Sequence, residues 1–288
     1  MAEPKEPKDT KERIDVLLVE QAYYESREKA KAAIMAGLVF ADNERIEKPG
    51  MKVWRKASLH VKGAVHPYVS RGGLKLEKAL KTFGIDMNNR VMLDIGSSTG
   101  GFTDCALQNG ASYVYAIDVG YNQLDWSLRN DERVCVMERT NFRYMTPEEL
   151  TGPQPDFASI DVSFISLRLI LPPLLQLLRR PAEVAALIKP QFEAGREKVG
   201  KSGVVRDRKV HEDVLHEVLS FANALGFRIG GLTFSPITGG EGNVEFLAYL
   251  QLPEGETEPL GEEVIRELAS NTAAEAARNF HRNSSAER

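Results

Sequence analysis

The stretch "LDIGSSTGGFTD", Leu93 to Asp104, decides how this chain folds. It ends an apolar run and continues through a loop of Gly, Ser and Thr into a helical pattern. Small residues in such a turn let the backbone come close to a small molecule and point N–H groups at it. A strand, a glycine-rich loop and a helix in that order predict the first βα unit of an open α/β sheet.

Apolar runs alternate with helical segments on both sides of this loop. Runs that are apolar at nearly every position indicate strands buried on both faces of a parallel sheet. Two further runs, joined by a short Gly-rich turn, predict an antiparallel pair at one edge. The predicted strands are RVMLDIG, SYVYAIDVG, RVCVMERT, DFASIDVSF, EVAALIKPQF, FRIGGLTFSPI and VEFLAYLQL. The fold class is therefore α/β: a mostly parallel, Rossmann-like sheet with an antiparallel last strand, which resembles the class I S-adenosylmethionine methyltransferases.

Composition divides the chain into segments. Residues 1–12 form a charged tail that is predicted to be disordered, and residues 13–62 combine helical and short strand patterns in a small α+β domain. Residues 63–73 are the predicted linker, and residues 74–253 carry the sheet. Residues 254–288 are polar and Glu-rich and are predicted to form a tail with one weak helix.

Charge is distributed unevenly. Residues 1–90 hold 18 Lys and Arg against 13 Asp and Glu, whereas residues 91–288 hold 19 against 28. A basic first part favours a module that binds nucleic acid, although a solvated surface without a partner explains the charge equally well.

The charged start predicts no signal peptide, and no apolar run reaches the roughly 18 residues that cross a bilayer. Cys105 and Cys135 lack metal-site spacing, so we expect core thiols, no metal and a cytoplasmic protein.

The glycine spacing narrows the choice of ligand. G-x-x-x-G-G from Gly96 matches neither the dinucleotide fingerprint nor the phosphate-binding P-loop. Asp118 closes the second strand, where a carboxylate accepts both hydroxyls of a ribose. Asp94 can orient the loop or meet an ammonium, and Asn141 can meet an adenine edge, although each also fits an ordinary turn or cap. Together they favour S-adenosylmethionine over NAD. The predicted cofactor-binding residues are Asp94, Gly96, Ser97, Ser98, Thr99, Gly100, Gly101, Phe102, Asp118, Asn141 and Asp161.

Three charged residues, Asp161, Lys189 and Glu245, stand at strand ends inside strongly apolar runs. An unpaired charge in such a place is costly, so we expect these residues to contact one another or a substrate. Lys75 lies in the helix ahead of the first strand. A buried ion-pair network without chemistry remains the alternative.

Several motifs together are similar to those of the TlyA family of ribosomal RNA methyltransferases, a branch of the FtsJ type of 2′-O-methyltransferase. They are SRGGLKL, LDIGSSTGGFTD, IDVSF, IKPQFE and GNVEF. The stretch from RIDVLL to GMKV resembles the RNA-binding domain first described in ribosomal small-subunit protein four. The resemblance implies S-adenosylmethionine-dependent 2′-O-methylation of ribosomal RNA at cytidine, with ribosomal subunits as partners. Nothing in the sequence indicates a membrane or an obligate protein partner.

The resemblance also implies a catalytic tetrad of Lys75, Asp161, Lys189 and Glu245. A ribose hydroxyl is a poor nucleophile that needs in-line placement and the removal of one proton. Lys189 is the candidate general base, the two carboxylates would hold the lysines, and Asp161 is expected near the cofactor's methyl group. The sequence leaves open which lysine loses its proton.

By the same resemblance, the RNA-binding residues are Arg13, Ser26, Arg27, Lys31 and Arg71, although a solvated charged helix explains them too. Asn141 departs from the wider FtsJ group, in which an Asp is common at this place. Two other functions stay open. One is a membrane-lytic protein, because family members also carry the label haemolysin, and the other is an inactive RNA-binding scaffold.

Overall fold

The computed structural model divides the chain into two compact units, Met1–Pro67 and Tyr68–Arg288, each with its own hydrophobic core. We refer to them as the first unit and the second unit. The structure describes residues 10–285 except for 22, 25, 43, 56, 63–65, 201, 240–241 and 256–257. Most of the predicted tail and part of the predicted linker therefore lie outside the described residues.

The first unit is a small α+β fold. Its strands β1 and β4 pair antiparallel, and β2 lies between β3 and β5 in a second antiparallel sheet. Both helices bury an apolar face, which includes Leu17 on one and Ile34 on the other. The elements are β1 (Lys11–Arg13), α1 (Ile14–Glu20), α2 (Arg27–Met35), β2 (Val39–Ala41), β3 (Glu44–Arg45), β4 (Lys52–Trp54) and β5 (Leu59–Val61).

The end of the predicted disordered tail, residues 1–12, belongs to a strand. Lys11 opens β1 and is paired with Trp54, and its ammonium lies 4.8 Å from the centre of the Trp54 ring. The charged composition of this stretch gave no sign of a strand, because the partner strand lies about 40 residues along the chain.

The second unit contains one seven-stranded sheet with helices on its faces. Its helices are α3 (Gly72–Phe83), α4 (Gly101–Gln108), α5 (Trp126–Arg129), α6 (Leu171–Leu177), α7 (Pro190–Glu193), α8 (Arg208–Ala224) and α9 (Glu262–Ser285). Its strands are β6 (Val91–Ile95), β7 (Tyr113–Ile117), β8 (Val134–Met137), β9 (Phe157–Ile160), β10 (Ala182–Ile188), β11 (Arg228–Phe234) and β12 (Phe246–Leu252).

The strand order is β11-β12-β10-β9-β6-β7-β8. Strands β6 to β10 pair in parallel, and β12 runs antiparallel to both of its neighbours. This confirms the predicted α/β fold with an antiparallel last strand. The order reverses between β6 and β9, where parallel sheets of this kind bind ligands beyond the carboxyl ends of the strands.

The helix ahead of the first sheet strand begins at Gly72, two residues before the predicted start of the domain. A Cβ atom at Gly73 would lie 2.4 Å from the Tyr68 ring, so the helix packs against this ring only with a glycine there. The two glycines looked like linker residues in the sequence because glycine is usually a poor helix former.

The polar C-terminal segment forms a longer helix than its composition indicates. Helix α9 has 24 residues and packs on α8 and β11. It buries Ile265, Ala269, Ala273 and Ala276. An alanine stripe is only weakly apolar, so the pattern looks faint in the sequence although the contact is close. Within the part of the chain that the structure describes, no helix is both long enough and apolar enough to span a membrane.

Candidate active site

Three of the four predicted tetrad residues meet because of the direction of the strands. Asp161 and Lys189 directly follow β9 and β10, and Glu245 directly precedes β12. Because β12 is antiparallel, its amino end lies at the same edge of the sheet as the carboxyl ends of the parallel strands. The register pairs Ile188 with Phe246, which brings the adjoining charged residues together.

Lys75, from α3, completes one connected set of contacts. Its Nζ lies 3.1 Å from Asp161 Oδ2 and 2.8 Å from Glu245 Oε2. The Nζ of Lys189 lies 2.6 Å from the other oxygen of Asp161. Asp161 thus joins both ammonium groups, and the structure brings together all four residues that the sequence placed in the tetrad.

The tetrad is largely removed from water. The side chains of both lysines are 9% exposed, Asp161 is 18% exposed and Glu245 is 3% exposed. Burial lowers the pKa of Lys75, but Asp161 and Glu245 outweigh burial and leave that pKa above its ordinary value. Burial raises the pKa of Asp161, and the two ammonium groups more than offset it, so the pKa ends below its ordinary value. Lys75 therefore stays an ammonium and Asp161 a carboxylate at neutral pH.

The structure adds residues that sequence reasoning missed. Lys189 donates a hydrogen bond of 3.0 Å to Ser163 Oγ. Phe164 is 90% exposed and has a φ of +64°, a conformation that is rare for a bulky residue. Its ring lies 4.9 Å from that of Phe192. Phe164 is the last residue of the IDVSF motif. An apolar residue beside a strand is ordinarily part of the core, so the sequence gave no sign that its side chain is exposed.

The glycine loop requires its glycines for two reasons. Gly96 has a φ of +86°, and a Cβ there would lie 2.5 Å from the carbonyl oxygen of Asp161. Gly100 has a φ of +98°, and a Cβ there would lie 2.3 Å from the Leu128 side chain. The loop is therefore held directly against the end of β9 by backbone contact, beside the tetrad.

Asp118 lies at the end of β7 and faces the loop. Its carboxylate accepts hydrogen bonds from the backbone N–H groups of Ser98 at 2.8 Å and Gly120 at 2.7 Å. It is half-buried. This is the place at which the sequence predicted a carboxylate for the ribose hydroxyls of an adenosyl group.

Asp94 is fully buried beneath the loop. It accepts hydrogen bonds from Thr103 Oγ1 at 2.6 Å and Ser159 Oγ at 2.9 Å. Burial raises the pKa of this carboxyl to about 6, although the two hydroxyls lower it. Of the two roles considered for Asp94, orienting the loop fits this placement, because no oxygen of a fully buried side chain is open to a ligand's ammonium.

Two other predicted cofactor residues are placed less favourably for a side-chain contact. Asn141 is exposed and its side chain accepts a hydrogen bond from the Arg143 backbone N–H at 3.2 Å, which is the ordinary turn that the sequence also allowed. Phe102 is 4% exposed and packs in the core of the second unit. The adenine contact of Asn141 stays a prediction.

The predicted RNA-binding residues fall into both units. Arg13 and Arg27 both contact Asp15 in the first unit. Ser26 accepts a hydrogen bond of 3.3 Å from a backbone N–H and so caps α2. Lys31 lies 4.0 Å from Glu28 on the solvent side of the same helix. The fifth predicted residue, Arg71, is the N-cap residue of α3 in the second unit.

The residues at this sheet edge fit S-adenosylmethionine. Gly96 and Gly100 let the loop lie close against Asp161 and Leu128, and Asp118 offers a carboxylate one strand away for a ribose diol. Among the described residues, no group of three or more His, Cys, Asp or Glu side chains is arranged to hold a metal ion.

Comparison with known proteins identifies the family. Residues 68–252, well over half of the chain, match the model of the FtsJ-like methyltransferase family, and residues 12–55 match the S4 domain. The chain belongs to the FtsJ-like methyltransferase family. This FtsJ-like methyltransferase uses S-adenosylmethionine, and its resemblance to the TlyA group is confirmed.

Three similar proteins support the assignment of this FtsJ-like methyltransferase. It is 62% identical to "Putative rRNA methyltransferase YqxC" of Bacillus subtilis over 260 residues, 89% of this chain and 92% of the relative. It is 43% identical to the "16S/23S rRNA (cytidine-2'-O)-methyltransferase TlyA" of Mycobacterium tuberculosis, over 83% of this chain and 89% of the relative. A solved structure, "Putative hemolysin from Streptococcus thermophilus", is 51% identical with a TM-score of 0.80, and the match covers 96% of this chain and 98% of that one.

Proposed function

We propose that the chain transfers the methyl group of S-adenosylmethionine to the 2′-oxygen of a cytidine ribose in ribosomal RNA. The observation that carries the proposal is the Lys75–Asp161–Lys189 contact beside the glycine loop, with Glu245 on Lys75. The S4 domain and the ribosomal RNA methyltransferase activity by which the TlyA relatives are named support RNA as the substrate class. From ribosomal subunits as the substrate we infer that the reaction takes place in the cytoplasm.

The two lysines of the tetrad contact different numbers of carboxylates, and we assign them different roles. Bound S-adenosylmethionine supplies an electrophilic methyl group on a good leaving group. Lys75 contacts two carboxylates that keep it protonated, so it holds Asp161 in place and balances its charge. Lys189 contacts one carboxylate and the Ser163 hydroxyl. We therefore assign Lys189 as the group that accepts the 2′-hydroxyl proton, after its own extra proton has passed to solvent.

The surroundings of Lys189 suit an unpaired nucleotide. The exposed ring of Phe164 and its neighbour Phe192 form an apolar surface next to the ammonium, which lies 5.9 Å from the centre of the Phe192 ring. Aromatic side chains of this kind stack on bases that are splayed out of an RNA structure. A ribose attached to such a base would lie beside Lys189.

The first test is methyl transfer from labelled S-adenosylmethionine to isolated small and large ribosomal subunits from cells that lack the protein. A 2′-O-methyl group blocks alkaline cleavage of the next phosphodiester, so we expect label in an alkali-resistant dinucleotide that begins with cytidine. Lys81→Ala removes an exposed lysine from the same helix as Lys75 and serves as the matched control for Lys189→Ala.

We expect the Lys189→Ala variant to lose transfer and retain cofactor binding, while the Lys81→Ala variant behaves like the wild type. Label on a base, or an absence of label from both subunits while the protein binds S-adenosylmethionine, would refute the proposed reaction. Equal transfer by the Lys189→Ala variant would refute the assigned proton acceptor.

A further inference from the structure

The first unit contains a buried aspartate between two arginines. Asp15, in the first turn of α1, is 0% exposed. Arg13 donates from Nε to Oδ1 at 2.9 Å and from Nη2 to Oδ2 at 3.0 Å. Arg27 donates from Nη2 and Nε to the same Oδ2, at 2.8 Å and 3.2 Å. One carboxylate thus fixes the orientation of two planar guanidinium groups.

The arginines remain open to solvent although the aspartate is buried. Their side chains are 42% and 47% exposed, and neither guanidinium makes another hydrogen bond to the residues that the structure describes. One bidentate arginine is enough to pair a buried carboxylate. The second arginine leaves these three side chains with one net positive charge and with N–H donors that no described residue accepts, which is the arrangement that binds an anion. The nearby Glu12 carboxylate, which also acts on Arg13, lies 3.8 Å from Arg55.

The position of Arg27 runs against the local preference of its helix. Arg27 is the first residue of α2, where the helix dipole favours an acidic side chain and disfavours a cation. Ser26 already caps this end of the helix. Helix stability therefore does not explain an arginine here, and departures from local preference are typical of functional sites.

We propose that Asp15 is a positioning residue that aims Arg13 and Arg27 together at a single phosphate of the RNA backbone. This inference rests on the proposed function, because it takes RNA as the partner. The planar fork of each guanidinium matches the oxygens of a phosphodiester, and holding both forks in advance reduces the entropy lost on binding. Such a contact sets the register of the RNA and carries no base specificity.

The Asp15→Asn variant separates positioning from simple charge. It adds one positive charge to the surface, so electrostatics alone predicts tighter binding of RNA. If Asp15 instead positions the arginines, the variant is expected to bind RNA more weakly, by about tenfold, as for the loss of one charge-assisted contact. Binding of wild-type and variant full-length protein to ribosomal RNA is measured across a series of KCl concentrations. Glu44→Gln, at an exposed carboxylate on β3, is the control with the same change of charge.

A thermodynamic cycle tests whether Asp15 acts through the arginines. One shared phosphate predicts that Arg13→Ala with Arg27→Ala reduces the slope of log K against log salt by about one rather than two. Adding Asp15→Asn to that double variant is expected to have no further effect. An Asp15→Asn variant that binds RNA as tightly as the wild type, or as tightly as Glu44→Gln, would overturn the proposal. The proposal would also fail if Asp15→Asn weakened binding by the same factor with and without the two arginines.

A folding defect is controlled with a second double variant. Arg13→Lys with Arg27→Lys keeps both charges and the pairing of Asp15 but removes the forks. RNA binding is compared at a temperature at which thermal unfolding shows both proteins to be folded. We expect RNA binding to weaken and the effect on methylation to appear in KM. If RNA binding of this variant equals that of the wild type, the proposal fails. If wild-type protein methylates no ribosomal RNA, the proposed function fails instead, whatever the variants do.

Discussion

The two units use an aspartate between two cations in opposite ways. In the first unit Asp15 is completely buried and its two arginines are close to half exposed. In the second unit Asp161 is 18% exposed and its two lysines are 9% exposed. Hydrogen bonding to Arg13 holds the pKa of Asp15 well below its usual range, and paired ammonium groups lower that of Asp161. Both carboxylates are therefore ionised, and what differs is which partner faces water.

This difference follows the chemistry of the two cations. An arginine in a protein does not give up its proton and presents a rigid fork, so it is suited to binding an external anion when exposed. A lysine changes its protonation state more readily, and burial excludes water from the atoms that exchange protons. We therefore expect the first cluster, which is Asp15 with Arg13 and Arg27, to bind an anion. We expect the second cluster, which is the tetrad around Asp161, to take part in the reaction.

The strongest test exchanges one cation for the other in the second cluster. Lys189→Arg keeps the charge on Asp161 but removes a group that can accept a proton, so we expect kcat to fall by about 10³-fold. Steady-state methylation and S-adenosylmethionine binding are measured side by side. Lys81→Arg, at an exposed position on α3, is the control. Substantial turnover by the Lys189→Arg variant would show that the lysine only balances charge.

A third aspartate sharpens the comparison because its partners carry no charge. Burial raises the pKa of Asp94 to about 6 from an ordinary 3.8, so its stabilising contribution is complete below pH 3.8 and is lost as pH rises through 6. A shift of two units corresponds to about 3 kcal/mol. We expect Asp94→Asn to increase the free energy of unfolding by up to that amount at pH 8 and to change it little at pH 4. Denaturant unfolding at both pH values measures this, and an equal effect at both would contradict the pKa argument.

Glu245 tests whether the second cluster needs two carboxylates. Glu245→Gln keeps the size of the side chain and removes one of the two charges that hold Lys75 as an ammonium. Lys75 then competes more strongly with Lys189 for Asp161, and we expect kcat to fall about tenfold, the effect of one charge-assisted contact. Glu254→Gln, at an exposed position beyond the other end of β12, is the control. An unchanged kcat would show that the reaction needs only the other three residues of the tetrad.

The smallest effect is expected in the first cluster. Arg27→Lys retains the charge but replaces one of the two planar guanidinium groups. We expect KM for ribosomal RNA to rise about threefold, which is less than the increase expected when a whole phosphate contact is lost. Arg45→Lys, at an exposed position on β3 of the same unit, makes the same exchange and serves for comparison. A fall in kcat larger than the rise in KM would mean that the two clusters are not separate in function.

Most of the sheet could be predicted because its signal is local. Runs such as RVMLDIG and EVAALIKPQF are apolar over the whole strand, and the structure places strands at Val91–Ile95 and Ala182–Ile188. The charged residues at the strand ends stood out because they interrupt these runs. The parallel order of the strands then brings them to one edge, so a pattern in the sequence became a cluster in space.

Features that depend on distant partners could not be predicted. Asp15 looks like an ordinary acidic residue at a helix start, and its role depends on Arg27, which is twelve residues away and arrives only when α2 packs against α1. The exposure of Phe164 depends on a backbone turn with positive φ. The weak helix predicted in the C-terminal segment is longer than expected because α9 packs on α8 and β11, which are distant in the sequence.

The sequence by itself determined the strands of the large sheet, the glycine loop and the charged residues at the strand ends, because each is encoded by neighbours along the chain. Only the tertiary structure decided which partner in each cluster faces solvent. Exposure depends on how distant segments pack over a side chain, so the same aspartate–cation chemistry became a solvent-facing pair of arginines in one unit and a buried pair of lysines in the other.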